Sequence, residues 1–542
     1  MISNNQKPCL VKTSQGFSVS YNNRFLYSKY NPSKSILTLI NQVEILSGTI
    51  VLCCSPVLNY GLKELSEQLP ENCILLGCEF NPDLHQFITE NIDSYNSIKN
   101  FHFLSIDEVY NLGVILSQNK YTLKSGETIC FAGNYKRVIR IDFSAGIQLN
   151  SELYNKLQES CVNSIKTFWT NRLTLTTFGR RYCQDFFKNL KILPDTTDIN
   201  SYIQKITKPI VCFGAGQSIN SGINEISLNK KDYFILCTDT SLSSLIAHNI
   251  VPDGVFIEEA QFIINRAFIG LQNYNVQYFV GLSAAPQISR YIKKENLCYF
   301  TTLFSESDFL KKLQKQNILP PENPPFGSVG LTMVYYAVKF RKDSSVPIFL
   351  YGLDFSYSAG LTHGKQTMSH KEKLISNTRL SPVQNYNAAF NKNVIKFLDK
   401  KSNVFYTTPS LQNYAFLFNG YFSSIKNIFD SSECGIKLNI LEKNPVCDNV
   451  TEIEIKKQKF SNEKATKINE YILSEKRDLI ELRDILTGKI ELSETELYPK
   501  INQLLSAKDY LYIHFPDGFK FEINQSFLNR VRTEIDFFLK FL

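Results

Sequence analysis

The stretch Lys208–Asn220, KPIVCFGAGQSIN, constrains this chain more than any other. An apolar run, Ile210 to Phe213, reads as a buried strand, Gly214-Ala215-Gly216 as a tight turn and Ser218 as a helix start. Strand, glycine turn and helix in that order is how α/β domains hold a phosphate. Glycine lets backbone N–H groups approach the anion, and the helix N-terminus adds partial positive charge. A GxG turn also serves backbone geometry alone in many proteins, so its meaning depends on the segments C-terminal to it.

Beyond Asn220 comes a series of buried strands ending in polar or small residues. DYFILC (Asp232 to Cys237) runs into Thr238-Asp239-Thr240, Gly254 to Ile257 into Glu258-Glu259, and Gln277 to Leu282 into Ser283, Ala284 and Ala285. Cys298 to Leu303 reads as a further strand, and VPIFLYGL (Val346 to Leu353) ends at Asp354. Between them lie helical segments: Leu242 to Asn249, a helix opened by the stiff loop PPENPPFGSVG and running to Phe340, and Asn385 to Lys400. Asn403 to Tyr406 reads as the last strand. The alternation predicts a mostly parallel, Rossmann-like sheet with helices on both faces.

The 542 residues exceed one core and suggest about three domains. Residues 1–150 predict a smaller α/β domain. TIVLCC (Thr49 to Cys54) and CILLGCE (Cys73 to Glu79) form a βαβ unit whose second strand ends in an acid, the position that meets a ribose in nucleotide-binding folds. Ser55 and Pro56 stand where glycines would be expected, so this unit is read as a structural or partner-docking remnant. Residues 151–425 form the central domain. It opens with a long helical stretch marked by Leu153, Leu157, Cys161, Ile165 and Phe168, with Trp169 read as core. Residues 426–542 predict a helical region, with charged helices over Ser461–Leu486, Thr495–Leu504 and Ser526–Leu542.

Net charge is +8, from 59 Lys and Arg against 51 Asp and Glu, without a dense basic block; a nucleic-acid partner is not expected. The 13 cysteines are scattered, many in apolar runs, with no CxxC pair and no Cys/His zinc spacing. They read as small buried hydrophobes in a reducing compartment, and no metal ligands are assigned. With no apolar leader or spanning run, a cytoplasmic chain without a membrane span is the expectation. HExxH, GxSxG and GxxxxGK[ST] are absent, which removes zinc-protease, serine-hydrolase and P-loop readings.

The polar residues gather at one kind of place, strand C-terminal ends and helix starts: Gly214, Gly216, Ser218, Asp239, Glu259, Gly327, Ser328, Asp354 and His363. In an open parallel sheet these ends share one edge, where ligands bind. Asp239 also fits a helix cap, and only one of Glu258 and Glu259 can point into the cleft. Gly327-Ser328 brings a second helix N-terminus, suited to another anion. His363, on a loop, is the expected catalytic base, with His370 its rival.

These segments resemble a known family. GAGQSI (Gly214 to Ile219), CTDTSLSSLIAHNIVPDGVFIEEAQ (Cys237 to Gln261), FGSVGLTMVYYAV (Phe326 to Val338) and FLYGLDFSYSAGLTHG (Phe349 to Gly364) together resemble the MptE-like domain at the centre of motility-associated factor (Maf) proteins. The family pattern is roughly GxGPSL, then ADT with GIxPD, then GGSV, then GxDL followed by THA. Here Gln217 replaces the usual Pro, Glu259 stands where Asp is usual and is followed by Ala260 instead of Pro, Phe326 replaces a second Gly, and Gly364 replaces Ala. The resemblance implies a sialyltransferase-like fold and transfer of a nonulosonic acid, of pseudaminic or legionaminic type, from a CMP-activated donor to Ser or Thr of flagellin. It implies no separate cofactor, the CMP-sugar being a substrate. Carried over, Gly214, Gly216, Ser218, Asp239, Glu259, Gly327 and Ser328 would bind the donor nucleotide, with Asp354 and His363 at the reacting centre. The family's other branch transfers diphosphate from ATP to 6-hydroxymethyl-dihydropterin. A non-catalytic adaptor that holds flagellin is the third possibility.

Overall fold

The computed structural model describes residues 7–542, apart from 96, 119, 269–273, 381–385, 446–454 and 519–522. Two compact units divide the chain: residues 1–177 with 515–521, and residues 178–514 with 522–542.

The first unit opens with a small antiparallel sheet of β1 (Cys9–Thr13), β2 (Gly16–Tyr21) and β3 (Arg24–Phe25). The tight turn between β2 and β3 is possible because Asn22 and Asn23 adopt positive φ, which asparagine tolerates. Helix α1 (Lys34–Gln42) leads to β4 (Thr49–Cys54), α2 (Leu62–Gln68), β5 (Ile74–Cys78), α3 (Pro82–Glu90), β6 (Phe101–Phe103) and α4 (Ile106–Leu116). A short hairpin of β7 (Tyr121–Thr122) and β8 (Thr128–Ile129) precedes β9 (Arg137–Asp142). Strands β6-β5-β4-β9 form a parallel sheet whose order reverses between β4 and β9. Such a reversal is where a ligand would enter an open sheet. Here polar side chains fill it. Fully buried Glu79 accepts from Ser55 Oγ at 2.6 Å, from the Asn81 N–H at 2.8 Å and from Tyr154 Oη at 3.1 Å, and Ser144 Oγ donates to Ser55 Oγ at 3.0 Å. The acid expected to face a ribose is thus spent inside the turn.

Helix α5 (Ser151–Ile192) gives its first part to the first unit and, from Phe178, its last part to the second. Trp169 lies among the partly buried residues packed on the first unit's core, its indole N–H donating to the Tyr135 carbonyl at 2.8 Å.

The second unit alternates β10 (Ile210–Phe213), α6 (Ile219–Ile226), β11 (Phe234–Thr238), α7 (Asp239–Ala247), β12 (Gly254–Ile257), β13 (Gln277–Gly281), β14 (Leu297–Thr302), α8 (Asp308–Lys315), β15 (Glu322–Asn323), α9 (Val329–Phe340) and β16 (Ile348–Tyr351). Then come α10 (Met368–Ile375), the short α11 (Tyr386–Ala389), a hairpin of β17 (Ile395–Leu398) and β18 (Val404–Thr407), α12 (Pro409–Phe422), β19 (Ile428–Asp430) and β20 (Leu441–Glu442). Nine strands form one sheet in the order β15-β14-β13-β12-β11-β10-β16-β19-β20. Every pairing in it is parallel. Both faces are covered. Ile210, Cys212, Ile348 and Leu350 pack in one core with α9 and α12, while Gly222 of α6 lies flat on Tyr351 and Phe213 of the other face.

Two expectations change here. The segment predicted as a helix over Asn385–Lys400 is helical only in Tyr386–Ala389, and Asn385 lies outside the described residues. Its apolar residues from Ile395 instead pair antiparallel with Val404–Thr407, so the strand predicted over Asn403–Tyr406 belongs to a hairpin beside the main sheet. Between them Ser402 takes positive φ and the Asp399 carboxylate accepts the Lys401 and Asn403 N–H groups, a side-chain-stabilised turn that competes with helix. The sheet's final strands, β19 and β20, lie beyond residue 425.

Helices α13 (Asn462–Leu486), α14 (Glu494–Leu505) and α15 (Gln525–Phe538) end the chain. Glu475, buried on α13, accepts from Tyr510 Oη at 2.7 Å and pairs with buried Lys508 at 3.5 Å. The Asp509 carboxylate caps α8, accepting the Asp308 and Phe309 N–H groups at 2.9 Å each. All twelve described cysteines are free, nine of them buried. Among the described residues no helix is long and apolar enough to cross a membrane.

Candidate functional site

Strand order in the large sheet reverses between β10 and β16. The chain moves outward from β10 through β11 to β15, then returns to the other side of β10 with β16. The loops after these two strands therefore diverge around a crevice, the place where open parallel sheets bind ligands. The first loop is Gly214–Ser218 and the second is Gly352–Asp354, so sequence segments far apart become neighbours.

Their contact is backbone on backbone. The Gly214 N–H donates to the Tyr351 carbonyl and the Gly216 N–H to the Gly352 carbonyl, both at 2.8 Å. A Cβ on Gly214 would come within 2.3 Å of the Gly352 carbonyl oxygen, and one on Gly216 within 2.5 Å of Asp354 Oδ2. The glycines are thus required by this approach itself. The Ser218 N–H is also engaged, donating to Asp354 Oδ2 at 2.9 Å. Among the described residues, the Ala215 and Gln217 N–H groups are the loop's donors left without a protein partner. Gln217 Nε2 donates to Ser358 Oγ and the Leu361 carbonyl, tying the glycine loop to the hairpin that leads to His363.

Asp354 is 1% exposed and Ser218 likewise. The Ser218 hydroxyl accepts the Gly352 N–H at 2.7 Å and donates to Asp354 Oδ1. One serine and one aspartate thereby lock the two loops together. Burial pushes the carboxyl of Asp354 up to about 6, against the pull of the Ser218 bonds.

Asp239 begins α7, at the end of the strand next to β10. Its Oδ1 accepts from the Thr240 N–H at 2.6 Å and from Thr240 Oγ1 at 3.0 Å. Burial, with Glu259 and Glu258 adding like charge, raises its pKa to about 6. Of the two glutamates, Glu258 turns inward: it accepts from Thr302 Oγ1 at 2.5 Å and from Thr332 Oγ1, in the first turn of α9, at 2.8 Å. Glu259 is half-buried and its Oε1 accepts the Gln261 N–H at 2.7 Å. Asp239, Glu258 and Glu259 make an acidic wall.

Ser328 is the N-cap of α9, yet its side chain makes no capping bond, and Gly327 before it has φ +69°. Gly330 lies against Leu353, bringing this helix start to the loop that carries Asp354. Its first turn offers open N–H groups to an anion.

The loop carrying His363 is stitched down by side chains on α6 and α7. The Gly364 N–H donates to the Ala215 carbonyl at 2.9 Å and the Lys365 N–H to Asn220 Oδ1 at 3.1 Å. Ser244 and Ser243 hydroxyls donate to the Lys365 and Gln366 carbonyls, each at 2.7 Å. His363 Nδ1 lies 3.2 Å from Thr362 Oγ1, which Lys373 Nζ of α10 also approaches at 3.2 Å. Burial first, and the charge of Lys373 second, hold the imidazole below its usual range and favour its neutral form. The rival His370, in the first turn of α10, accepts the Gln366 N–H through Nδ1 at 3.3 Å.

The predicted residues are therefore brought to one edge of one sheet, in differing states. Ser218 and Asp354 are consumed in the lock between loops, Asp239 and Glu259 line the acidic wall, and His363 stands on the basic side. Lys373 and Glu258's partner Thr332 are not singled out by the sequence; each sits in a helix with no local signal, and only the fold brings Lys373 to Thr362 and His363 and Thr332 to Glu258.

The two buried aspartates carry a pH prediction. Their folded pKa values are raised above the unfolded value of about 3.9, so the folded chain binds these protons more tightly. Their stabilising contribution is complete below about pH 4 and is lost as pH rises through about 6. Asp509, also raised to about 6, and Asp185, raised to about 7, act in the same sense. The melting temperature of Asp239→Asn should vary less over this window than that of the parent chain, as calorimetry at several pH values would show.

Comparison with known proteins fits this architecture. Residues 181–360 match the family model described as 6-hydroxymethylpterin diphosphokinase MptE-like, a match ending three residues before His363. An uncharacterized protein of Treponema pallidum (strain Nichols) is 29% identical over 562 aligned residues, spanning 99% of this chain and 95% of that one. The solved structure of a Maf glycosyltransferase from Magnetospirillum magneticum AMB-1 superposes with a TM-score of 0.55 at 12% identity, covering 99% of this chain and 91% of that one. The fold is therefore shared along nearly the whole length.

Proposed function

From its place in the Maf/MptE-like family, we propose that this chain is a glycosyltransferase. It moves a nonulosonic acid, of pseudaminic, legionaminic or sialic type, from a CMP-activated donor to Ser or Thr of flagellin in the cytoplasm. The observation that carries the reading is that the half-buried His363 adjoins the glycine loop, the Gly364 N–H donating to the Ala215 carbonyl at 2.9 Å, at the switch point of a parallel sheet where the Ala215 and Gln217 N–H groups are open.

In this reading the donor phosphate meets the Ala215 and Gln217 N–H groups, with the uncapped start of α9 as a second anion contact. Asp239 and Glu259 accept from donor hydroxyls. CMP departs with its phosphate charge already stabilised by backbone dipoles, and the sugar passes through an oxocarbenium-like state. His363 takes the proton of the acceptor hydroxyl as the new C–O bond forms. Asp354 is a positioning residue, acting through Ser218 and the loop lock.

The family model's own description favours a second reading, diphosphate transfer from ATP to a hydroxymethylpterin. A thermal-shift titration with CMP, CDP, ATP and GTP separates the two. Saturating CMP at about 100 times its Kd should add about 2.7 kcal/mol of stability. Stabilisation by CMP supports the glycosyltransferase; preference for ATP supports the diphosphokinase; no shift with any nucleotide leaves a flagellin-holding adaptor.

A further inference from the structure

Lys373 lies in the second turn of α10, with its ammonium folded back over the His363 loop, 3.2 Å from Thr362 Oγ1. An ammonium only donates, so the threonine oxygen accepts from it. The adjacent carboxylate, Glu372, is turned away and pairs with Arg266 at 2.9 Å. The other charged or titratable groups bearing on this corner are Lys365 and the imidazoles of His363 and His370, both held below their usual range. Burial disfavours the charged form of Lys373, and among the described residues no carboxylate forms an ion pair with it. A half-buried cation without a counter-charge is costly unless an anion arrives. Through Thr362 it stands beside His363, on the loop whose Gly364 N–H is tied to the Ala215 carbonyl of the glycine loop.

We propose that Lys373, with Thr362 beside it, is the cationic contact for an oxyanion of the ligand in this crevice. The proposal rests on the glycosyltransferase reading, in which that oxyanion is the donor's phosphate or the carboxylate of its nine-carbon sugar acid. Either matches a point-charge donor with a hydroxyl next to it. In the unliganded chain the charge of Lys373 also helps keep the His363 imidazole in its neutral form.

The test is isothermal titration of the full chain and its Lys373→Met and Lys373→Arg variants with CMP, cytidine, N-acetylneuraminate and inorganic pyrophosphate. Lys373→Gln substitutes if the methionine variant aggregates. Weakening of CMP by tenfold or more in Lys373→Met, with cytidine unchanged and Lys373→Arg within about threefold of the parent, supports the phosphate as source. Loss of N-acetylneuraminate binding with CMP unchanged supports the carboxylate. Equal binding of both anions by parent and Lys373→Met overturns the proposal. If the parent chain binds no nucleotide, the CMP reading falls separately. Pyrophosphate then decides for Lys373: binding lost in Lys373→Met supports it, and binding retained or never present overturns it.

Discussion

Replacing His363 with alanine should lower transfer by about 100- to 10,000-fold while leaving the melting temperature nearly unchanged. The range is that of losing one positioned general base. The small effect on folding follows from the contacts: the imidazole bonds to Thr362, its sequence neighbour, whereas the loop is held by the backbone of Gly364, Lys365 and Gln366. The pH profile gives a second readout. Because the imidazole is held below its usual range, the acidic limb of kcat/KM should lie below about 6.5, and activity should fall as pH drops through it. Thr362→Val, which removes the hydroxyl at His363 Nδ1, should retain more activity than His363→Ala. A chain with His363→Ala and undiminished transfer would remove His363 from the mechanism and make His370 the next residue to change.

The strands of the large sheet are legible in the sequence because each is a short apolar run bounded by turn residues, and a strand buried on both faces leaves that pattern in any local window. The collecting edge is legible for the same reason: polar residues at strand ends share an edge once the sheet is parallel. The use made of the glycines is not. Gly214 and Gly216 look like a phosphate cradle from their own neighbours, but their N–H groups face carbonyls of Tyr351 and Gly352. That partner is more than a hundred residues on, and no local pattern carries it. The departures from the family pattern acquire local reasons in the same way. Gln217 in place of proline supplies the amide that holds Ser358 and Leu361. At Gly364, a Cβ would sit 2.1 Å from Ile219 Cγ2, so the glycine after His363 matches the β-branched residue at the start of α6. The Ile395–Leu398 segment reads as helix from its apolar spacing, which fits either period. The Asp399 turn, a side-chain effect, decides for a hairpin.

Gly352→Ala should be the most damaging single methyl addition to the second unit, costing about 3 kcal/mol or more. Two effects combine. Gly352 has φ +69°, where an L-residue pays about 1–2 kcal/mol. Its Cβ would also lie 2.2 Å from the Gly214 carbonyl oxygen and 2.6 Å from the Gly214 carbonyl carbon. Those neighbours are backbone, fixed by the pairing of β10 with β16, so relief requires prising apart two central strands, and overpacking of this kind costs about 1–3 kcal/mol. Gly420→Ala is the matched control. Gly420 is exposed inside α12, with nothing within 4 Å of an added Cβ. There the substitution should stabilise by about 0.5–1 kcal/mol through helix propensity and a less flexible unfolded chain. Thermal unfolding of the two variants should therefore move in opposite directions. Equal, small shifts would mean that the two loops do not meet at the switch point, and the site built on their contact would have to be abandoned.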